Sequence, residues 1–221
     1  MNSIDPGSID TLSAIIESFD PASVIVFTGG ASYTTSGAAS VVDRALTSRS
    51  ATYIRNIAPN PDLDTVNEAI ARYRSAEPEL VVAVGGGSTI DLAKVVNAVA
   101  PRSQDARAYI LGERPFDGAG APLVAIPTTS GTGSEATRYA VITVDGEKVP
   151  VGDDALLPAH VILDPQLSYS LPPHVTAATG LDALAQAMES MWSVRSDAES
   201  IGTASRALQL AVDNIEAVVN R

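Results

Sequence analysis

The sequence predicts an α/β fold, a parallel sheet with helices over residues 1–170, followed by an all-helical region over residues 171–221. Three observations carry this. Strand and helix signals alternate through the first half of the chain. The stretch from Leu80 to Lys94 runs five apolar residues into three glycines and then opens a helical pattern. Beyond Pro172-Pro173 the apolar residues fall at helical spacing as far as Arg221.

Taken in order, Ser23 to Phe27 is an apolar run of strand length, and Gly29-Gly30 turns the chain into a helix over Gly37 to Leu46. Thr52 to Ile54 is a short second strand. Asn60-Pro61-Asp62 has the form of an N-cap, an N1 proline and a first-turn acid, opening a helix to about Arg74. Leu80 to Val84 is the third strand, with a helix from Ile90 to Val99. Leu123 to Ile126 is a strand ending at Pro127. Tyr139 to Val144 and Val149 to Val151 flank Asp145-Gly146 as a hairpin. Val161 to Leu163 is a last strand. In the helical region Leu181, Leu184, Ala185 and Met188 form one stripe, and Ala207, Leu208, Ala211, Ile215 and Val218 another. His160 and His174 fall in proline-flanked connections and are expected in loops.

A chain of 221 residues with 45% hydrophobic and 18% charged content can bury a sizeable core. No apolar run approaches the ~18 residues of a membrane helix. Met1-Asn2-Ser3-Ile4-Asp5-Pro6 lacks the basic and apolar regions of a signal peptide. The chain has no cysteine, which excludes disulfides and thiolate chemistry and fits a cytoplasmic protein. A net charge of −12 argues against nucleic acid or an anionic membrane as partner. It leaves a dinucleotide open, because backbone N–H groups can hold one locally.

Gly85, Gly86, Gly87 and Ser88 are where such a ligand is expected. The first turn of a helix offers unpaired N–H groups and the positive end of its dipole, which suits a phosphate. Glycine lets backbone approach a ligand closely. Neither usual template fits: the third glycine of Gly-x-Gly-x-x-Gly is Ile90 here, and the P-loop pattern is absent. A second loop, Pro127 to Glu135, has five hydroxyls and two glycines in nine residues. Its donors could wrap a pyrophosphate and a nicotinamide ribose at the ends of the same strands. Asp182 and Gln186 are four residues apart on one helical face. The aspartate there is a metal ligand, a partner for a cation, or a solvated acid near a helix start at Gly180. Trp192 is expected to pack helix against helix.

Three segments in this order resemble the iron-containing, or group III metal-dependent, alcohol dehydrogenases: Gly85-Gly86-Gly87-Ser88 with Asp91 and Lys94, Pro127 to Glu135, and Thr176 to Leu184 with Glu189. Pro59-Asn60-Pro61 and Asp164-Pro165 also match. The resemblance implies a dehydroquinate-synthase-like fold, with a dinucleotide-binding domain over 1–170 and the start of an all-helical domain over 171–221. It implies NAD(P)H as cofactor, with Gly85, Gly86, Gly87 and Ser88 on the pyrophosphate and Thr128, Thr129 and Thr132 on the phosphates and the nicotinamide side. Lys148 and Leu167 match further cofactor contacts. Asp182 matches the first ligand of a divalent iron or zinc ion that polarises the substrate carbonyl.

The chain departs from that pattern. The family's second ligand, a histidine, is Gln186 here, a poorer ligand. The other two ligands are histidines well downstream, so the metal site and the helical domain are expected to be incomplete at Arg221. The acid that discriminates against a 2′-phosphate is Thr28 here, which leaves NADPH open. Gln186 to Val194, with Thr28-Gly29 and Ser36-Gly37-Ala38, looks like the phosphonoacetaldehyde reductase branch, where Arg138 would meet the phosphonate. The expected function is NAD(P)H-dependent interconversion of a small aldehyde and its alcohol. In that reading Asp182 and Gln186 are the catalytic pair and Gln186 hydrogen-bonds the carbonyl if no metal is held. The rival is a non-catalytic nucleotide-binding remnant, and a dehydroquinate-synthase-type lyase matches the loops less well. An uncovered apolar helix face predicts a homo-oligomer or a partner chain.

Overall fold

The structure is a computed structural model that describes residues 2–118 and 120–220. They divide into two compact units. One is the chain up to Thr128 together with Ser134–Tyr169; the other is Thr129–Gly133 with the chain from Ser170 on.

The first unit is built on a six-stranded sheet. Its strands are β1 (Asn2–Ile4), β2 (Ser23–Thr28), β3 (Ser50–Ile54), β4 (Leu80–Gly85), β5 (Leu123–Pro127) and β8 (His160–Leu163), in the order β1-β8-β5-β4-β2-β3. Every pairing is parallel. A separate antiparallel hairpin, β6 (Tyr139–Val144) and β7 (Glu147–Gly152), turns at Asp145-Gly146. The helices are α1 (Leu12–Phe19), α2 (Ala31–Thr35), α3 (Ala38–Ala45), α4 (Leu63–Ala76), α5 (Gly87–Val99) and α6 (Arg107–Ile110).

Alternate residues of each central strand serve opposite layers. Val24, Val26, Leu80, Val82 and Val84 pack with Leu12 and Ile16 of α1 and Val42 of α3. Ile25, Phe27, Val81 and Ala83 pack with Ile70 of α4 and Ile90 and Val96 of α5. Burial on both faces explains why β4 reads as an unbroken apolar run. Because β3 lies on one side of β2 and β4 on the other, the connections leave β2 and β4 toward opposite faces. Their C-terminal ends therefore open a crevice, the place where open parallel sheets bind ligands.

Several details differ from the sequence reading. β1 and α1 were not expected; β1 is only three residues long, too short for periodicity to mark. Asn60 does not cap α4. It has φ +55°, and Asp62 is the cap instead, its carboxylate accepting from the Thr65 amide at 2.8 Å and the Thr65 hydroxyl at 2.6 Å. α5 starts three residues earlier than expected, at Gly87. His160 opens β8 and stacks edge-on against Phe19 with ring centroids 5.4 Å apart, so it is not a loop residue.

The second unit is a pair of helices, α7 (Pro173–Trp192) and α8 (Ala198–Val219), with the 129–133 loop. His174 lies in the first turn of α7, not in a loop. Gly180 is mid-helix, not a start: a Cβ there would come within 3.0 Å of Ile215 Cδ1, so its smallness lets α8 approach. α8 opens on a capping box in which Asp197 and Ser200 satisfy each other's amides at 2.8 and 2.9 Å. Trp192 is 68% exposed at the end of α7 and does not pack between helices. Arg221, included in the expected helix, lies outside the described residues. No helix among the described residues is long and apolar enough to cross a membrane.

Candidate functional site

The C-terminal ends of β2, β4 and β5 meet at Gly85. A Cβ on Gly85 would fall 2.5 Å from Thr89 Oγ1 and 2.7 Å from Thr89 Cβ, so only glycine lets α5 start this close to its strand. Gly86 is the N-cap residue, and no side chain caps the helix. The amides of Thr89 and Ile90 both turn back to the Gly86 carbonyl, at 3.0 and 3.2 Å. The Gly87 and Ser88 amides precede any i→i−4 bond of the helix, so they remain available to an anion.

The neighbouring strands are tied to this turn. The Gly29 amide donates to the Val84 carbonyl at 3.1 Å, and the Thr128 amide to the Gly85 carbonyl at 2.9 Å. Thr128 is fully buried, and its Oγ1 has no hydrogen-bond partner among the described residues. An unsatisfied buried hydroxyl is rare and costly. A polar ligand atom at the strand ends is the kind of partner it lacks. Cradle, uncapped helix and orphaned hydroxyl together fit the phosphate portion of a dinucleotide.

Ser88 enters differently from the sequence expectation. Its Oγ accepts from the Asn60 amide at 3.1 Å, so its side chain holds the Asn60-Pro61 turn and its backbone faces the crevice. The same turn anchors the hairpin, with the Thr143 amide donating to the Pro61 carbonyl at 2.9 Å. Lys148 lies opposite Thr143 on β7, exposed. Leu167 is buried in the apolar layer with Ile9 and Leu12. Thr129 and Thr132 belong to the second unit, where Gly131 lies so close to the Thr179 backbone that a Cβ would not fit.

Asp91 and Lys94 figured in the sequence only as parts of a motif, yet both do specific work. The Asp91 carboxylate accepts from the Ser134 hydroxyl and from the Val141 amide, the latter at 2.9 Å. Burial pushes its carboxyl above the usual range, against the hydrogen bonds from Ser134 and Val141. Lys94 is 1% exposed and donates to the carbonyls of Thr137 at 2.7 Å and Tyr139 at 2.8 Å. Burial pulls its ammonium down to about 8, against the pull of Asp91 and Glu135. α5 thus presents its amides at one end and clamps residues 134–141 along its flank. A lysine inside the apolar run Ile90 to Val99 was the signal that could have shown this.

In the second unit the expected i, i+4 pair forms: Gln186 Nε2 donates to Asp182 Oδ2 at 2.8 Å, with both side chains exposed. Iron or zinc takes at least three protein ligands. Among the described residues no group of three or more histidines, cysteines or acids could hold a metal ion. Asp182 and Gln186 supply at most two ligands. Arg138 is engaged by Asp154 at 2.8 Å.

Residues 3–165 match the family described as iron-containing alcohol dehydrogenase. Long-chain-alcohol dehydrogenase 1 of Geobacillus thermodenitrificans is 43% identical over 157 residues, covering 70% of this chain and 40% of that protein. Choline dehydrogenase of Bacillus subtilis is 43% identical over 60% of this chain and 34% of its own length. The chain thus spans two fifths or less of these relatives. Among solved structures, NADH-dependent butanol dehydrogenase A from Thermotoga maritima superposes with a TM-score of 0.92 at 27% identity, over 100% of this chain and 56% of that one. Sulfoacetaldehyde reductase from Bifidobacterium kashiwanohense, solved with NAD+, superposes with a TM-score of 0.93 at 30% identity, over 100% and 59%. These likenesses bear out the dehydroquinate-synthase-like α/β fold.

Proposed function

Since this chain belongs to the iron-containing alcohol dehydrogenase family, we propose that it carries the nicotinamide-binding part of an oxidoreductase interconverting a small alcohol and its aldehyde. The observation that supports this best is the cradle at Gly85–Ser88, beside the unpartnered Thr128 hydroxyl. Gly87 and Ser88 would hold the pyrophosphate by their amides, and Thr128 would hold it by its hydroxyl. Within the same unit, Lys148 and the backbone at Leu167 would complete the cofactor contacts. When bound, the reduced cofactor NAD(P)H would supply the hydride to the aldehyde, and the oxidised cofactor NAD(P)+ would take it up from the alcohol. Asp182 and Gln186 alone are too few ligands for a metal. In the second unit, Asp182 orients the Gln186 carboxamide, and we assign its remaining N–H to the substrate carbonyl oxygen as charge develops there.

The finer reading is an aldehyde bearing an anionic group, phosphonoacetaldehyde reduced to 2-hydroxyethylphosphonate. It rests on the Gln186 to Val194 segment and on the likeness to a sulfoacetaldehyde reductase. Arg138, expected to meet the phosphonate, is exposed and pairs with Asp154 through one nitrogen at 2.8 Å. A second reading, nucleotide binding without turnover, needs only the cradle at Gly85–Ser88.

The test couples two measurements: calorimetric titration of NADPH and NADH, and oxidation of the bound cofactor on adding phosphonoacetaldehyde, sulfoacetaldehyde or butanal. Binding with aldehyde-dependent oxidation supports the reductase, and a preference for the phosphonate supports the finer reading. Binding without oxidation supports the second reading. No binding overturns both. Loss of oxidation in Gln186→Ala with binding retained supports the carbonyl contact, and full activity there removes it.

A further inference from the structure

The edge of the crevice carries a charge that the cofactor reading above does not use. β3 pairs with β2 so that Ile54 stands opposite Phe27, which puts the next residue, Arg55, level with Thr28. Ile54 faces the α4–α5 layer, so alternation turns Tyr53 and Arg55 to the other face, where α2 follows Gly29-Gly30. There the guanidinium lies 3.9 Å from the centroid of the Tyr53 ring and 5.8 Å from that of Tyr33. Stacking on a ring fixes a guanidinium's plane and leaves its edge N–H groups pointing outward. Arg55 takes part in none of the ion pairs found among the described residues. Asp43 is close by, but its carboxylate accepts the Tyr53 hydroxyl at 2.7 Å.

In sheets of this topology the adenosine ribose lies by the strand ends next to the switch point. An acid there reads a free 2′-hydroxyl, and an arginine accommodates a 2′-phosphate. At this edge Thr28, Gly29 and Gly30 bring no negative charge, and Arg55 brings a fixed positive one. We propose that Arg55, held flat on Tyr53, is a specificity residue that selects a nicotinamide cofactor phosphorylated on the adenosine ribose, so that the site takes NADPH over NADH. The proposal rests on the dinucleotide reading of the Gly85 cradle. The guanidinium edge would pair in two-pronged fashion with the phosphate oxygens.

The test is a calorimetric titration of the protein with 2′,5′-ADP and with 5′-ADP, repeated for Arg55→Ala and Arg55→Lys. The wild type is expected to bind 2′,5′-ADP roughly ten- to hundredfold more tightly than ADP. Arg55→Ala is expected to lower that affinity to the level of ADP, and Arg55→Lys to retain part of the preference, since it keeps the charge without the fork. Equal binding of the two nucleotides by the wild type, or an undiminished preference in Arg55→Ala, overturns the role of Arg55 and leaves the cradle standing. Binding of neither nucleotide overturns the cradle and the proposal together.

Discussion

α5 and α7 are both long helices that carry the polar residues of interest, yet they are held in opposite ways. Ten of the thirteen residues of α5 are buried, and its two charged side chains are locked onto backbone and hydroxyl partners. α7 buries only Ala187 of its twenty residues, and Asp182 and Gln186 are positioned by one another. A polar group on a buried helix is costly to disturb, because its partners lose their only hydrogen bonds. One on an exposed helix is replaced by water. The comparison gives the first unit a rigidly held helix and the second a helix whose polar pair is compliant.

The sharpest way to break this contrast is Lys94→Met. Methionine fills much of the space but leaves the Thr137 and Tyr139 carbonyls without donors. The expected loss is about 3 kcal/mol of unfolding free energy, since each orphaned buried group costs about 1–3 kcal/mol. Urea melts read it directly. A loss as small as that of a surface substitution would mean that α5 is held by apolar packing alone.

The same lysine gives a pH signature. Its ammonium is pulled from 10.5 to about 8 in the folded protein. Between these values the unfolded chain binds more protons than the folded one, so this group makes stability rise with pH. Below 8 both states are protonated and its contribution to the slope vanishes. Urea melts between pH 8 and 10 should show a rising component of at most about 1.4 kcal/mol per pH unit, missing in Lys94→Met. An identical pH dependence in the two proteins would rule out the depressed ammonium.

Gly85→Ala comes next in size. The added methyl would overlap Thr89, whose own position is fixed by burial. Overpacking of this kind costs about 1–3 kcal/mol, and the shift of α5 away from β4 would also spoil the anion cradle. Weakened NADPH binding together with a lowered melting temperature is the expected pair of results. If the temperature falls while affinity is unchanged, the phosphates are held elsewhere.

What could be read from the residues follows the same division. β4 and α5 were legible because a strand buried on both faces must be apolar throughout, and three glycines have little other use between a strand and a helix. The first position of α4 was misread because Asn60 and Asp62 are both good caps. Only tertiary bonds, from Asn60 to Ser88 and from Thr143 to Pro61, put Asn60 at positive φ and pass the cap to Asp62. The clamp made by Asp91 and Lys94 was invisible for a related reason: its partners, three backbone groups and the Ser134 hydroxyl, are more than forty residues away. Arg55 has a signal, a cation directly after a strand, but its meaning needs the strand order. In the second unit, the i, i+4 geometry of Asp182 and Gln186 was predictable from helix periodicity, whereas the exposure of Trp192 was not.

The smallest expected effect is the most exacting for the contrast. Asp182→Ala removes one exposed carboxylate and its bond to Gln186. A surface substitution of this sort changes stability by about 0.5 kcal/mol or less, and NADPH affinity should stay as it is. Aldehyde reduction is where the change should show, because the Gln186 carboxamide would lose the group that orients it. A modest loss of turnover with stability and cofactor binding intact places Asp182 in a positioning role on a compliant helix. A large loss of stability would instead mean that α7 is anchored through this pair, and the difference between the two helices would be one of degree.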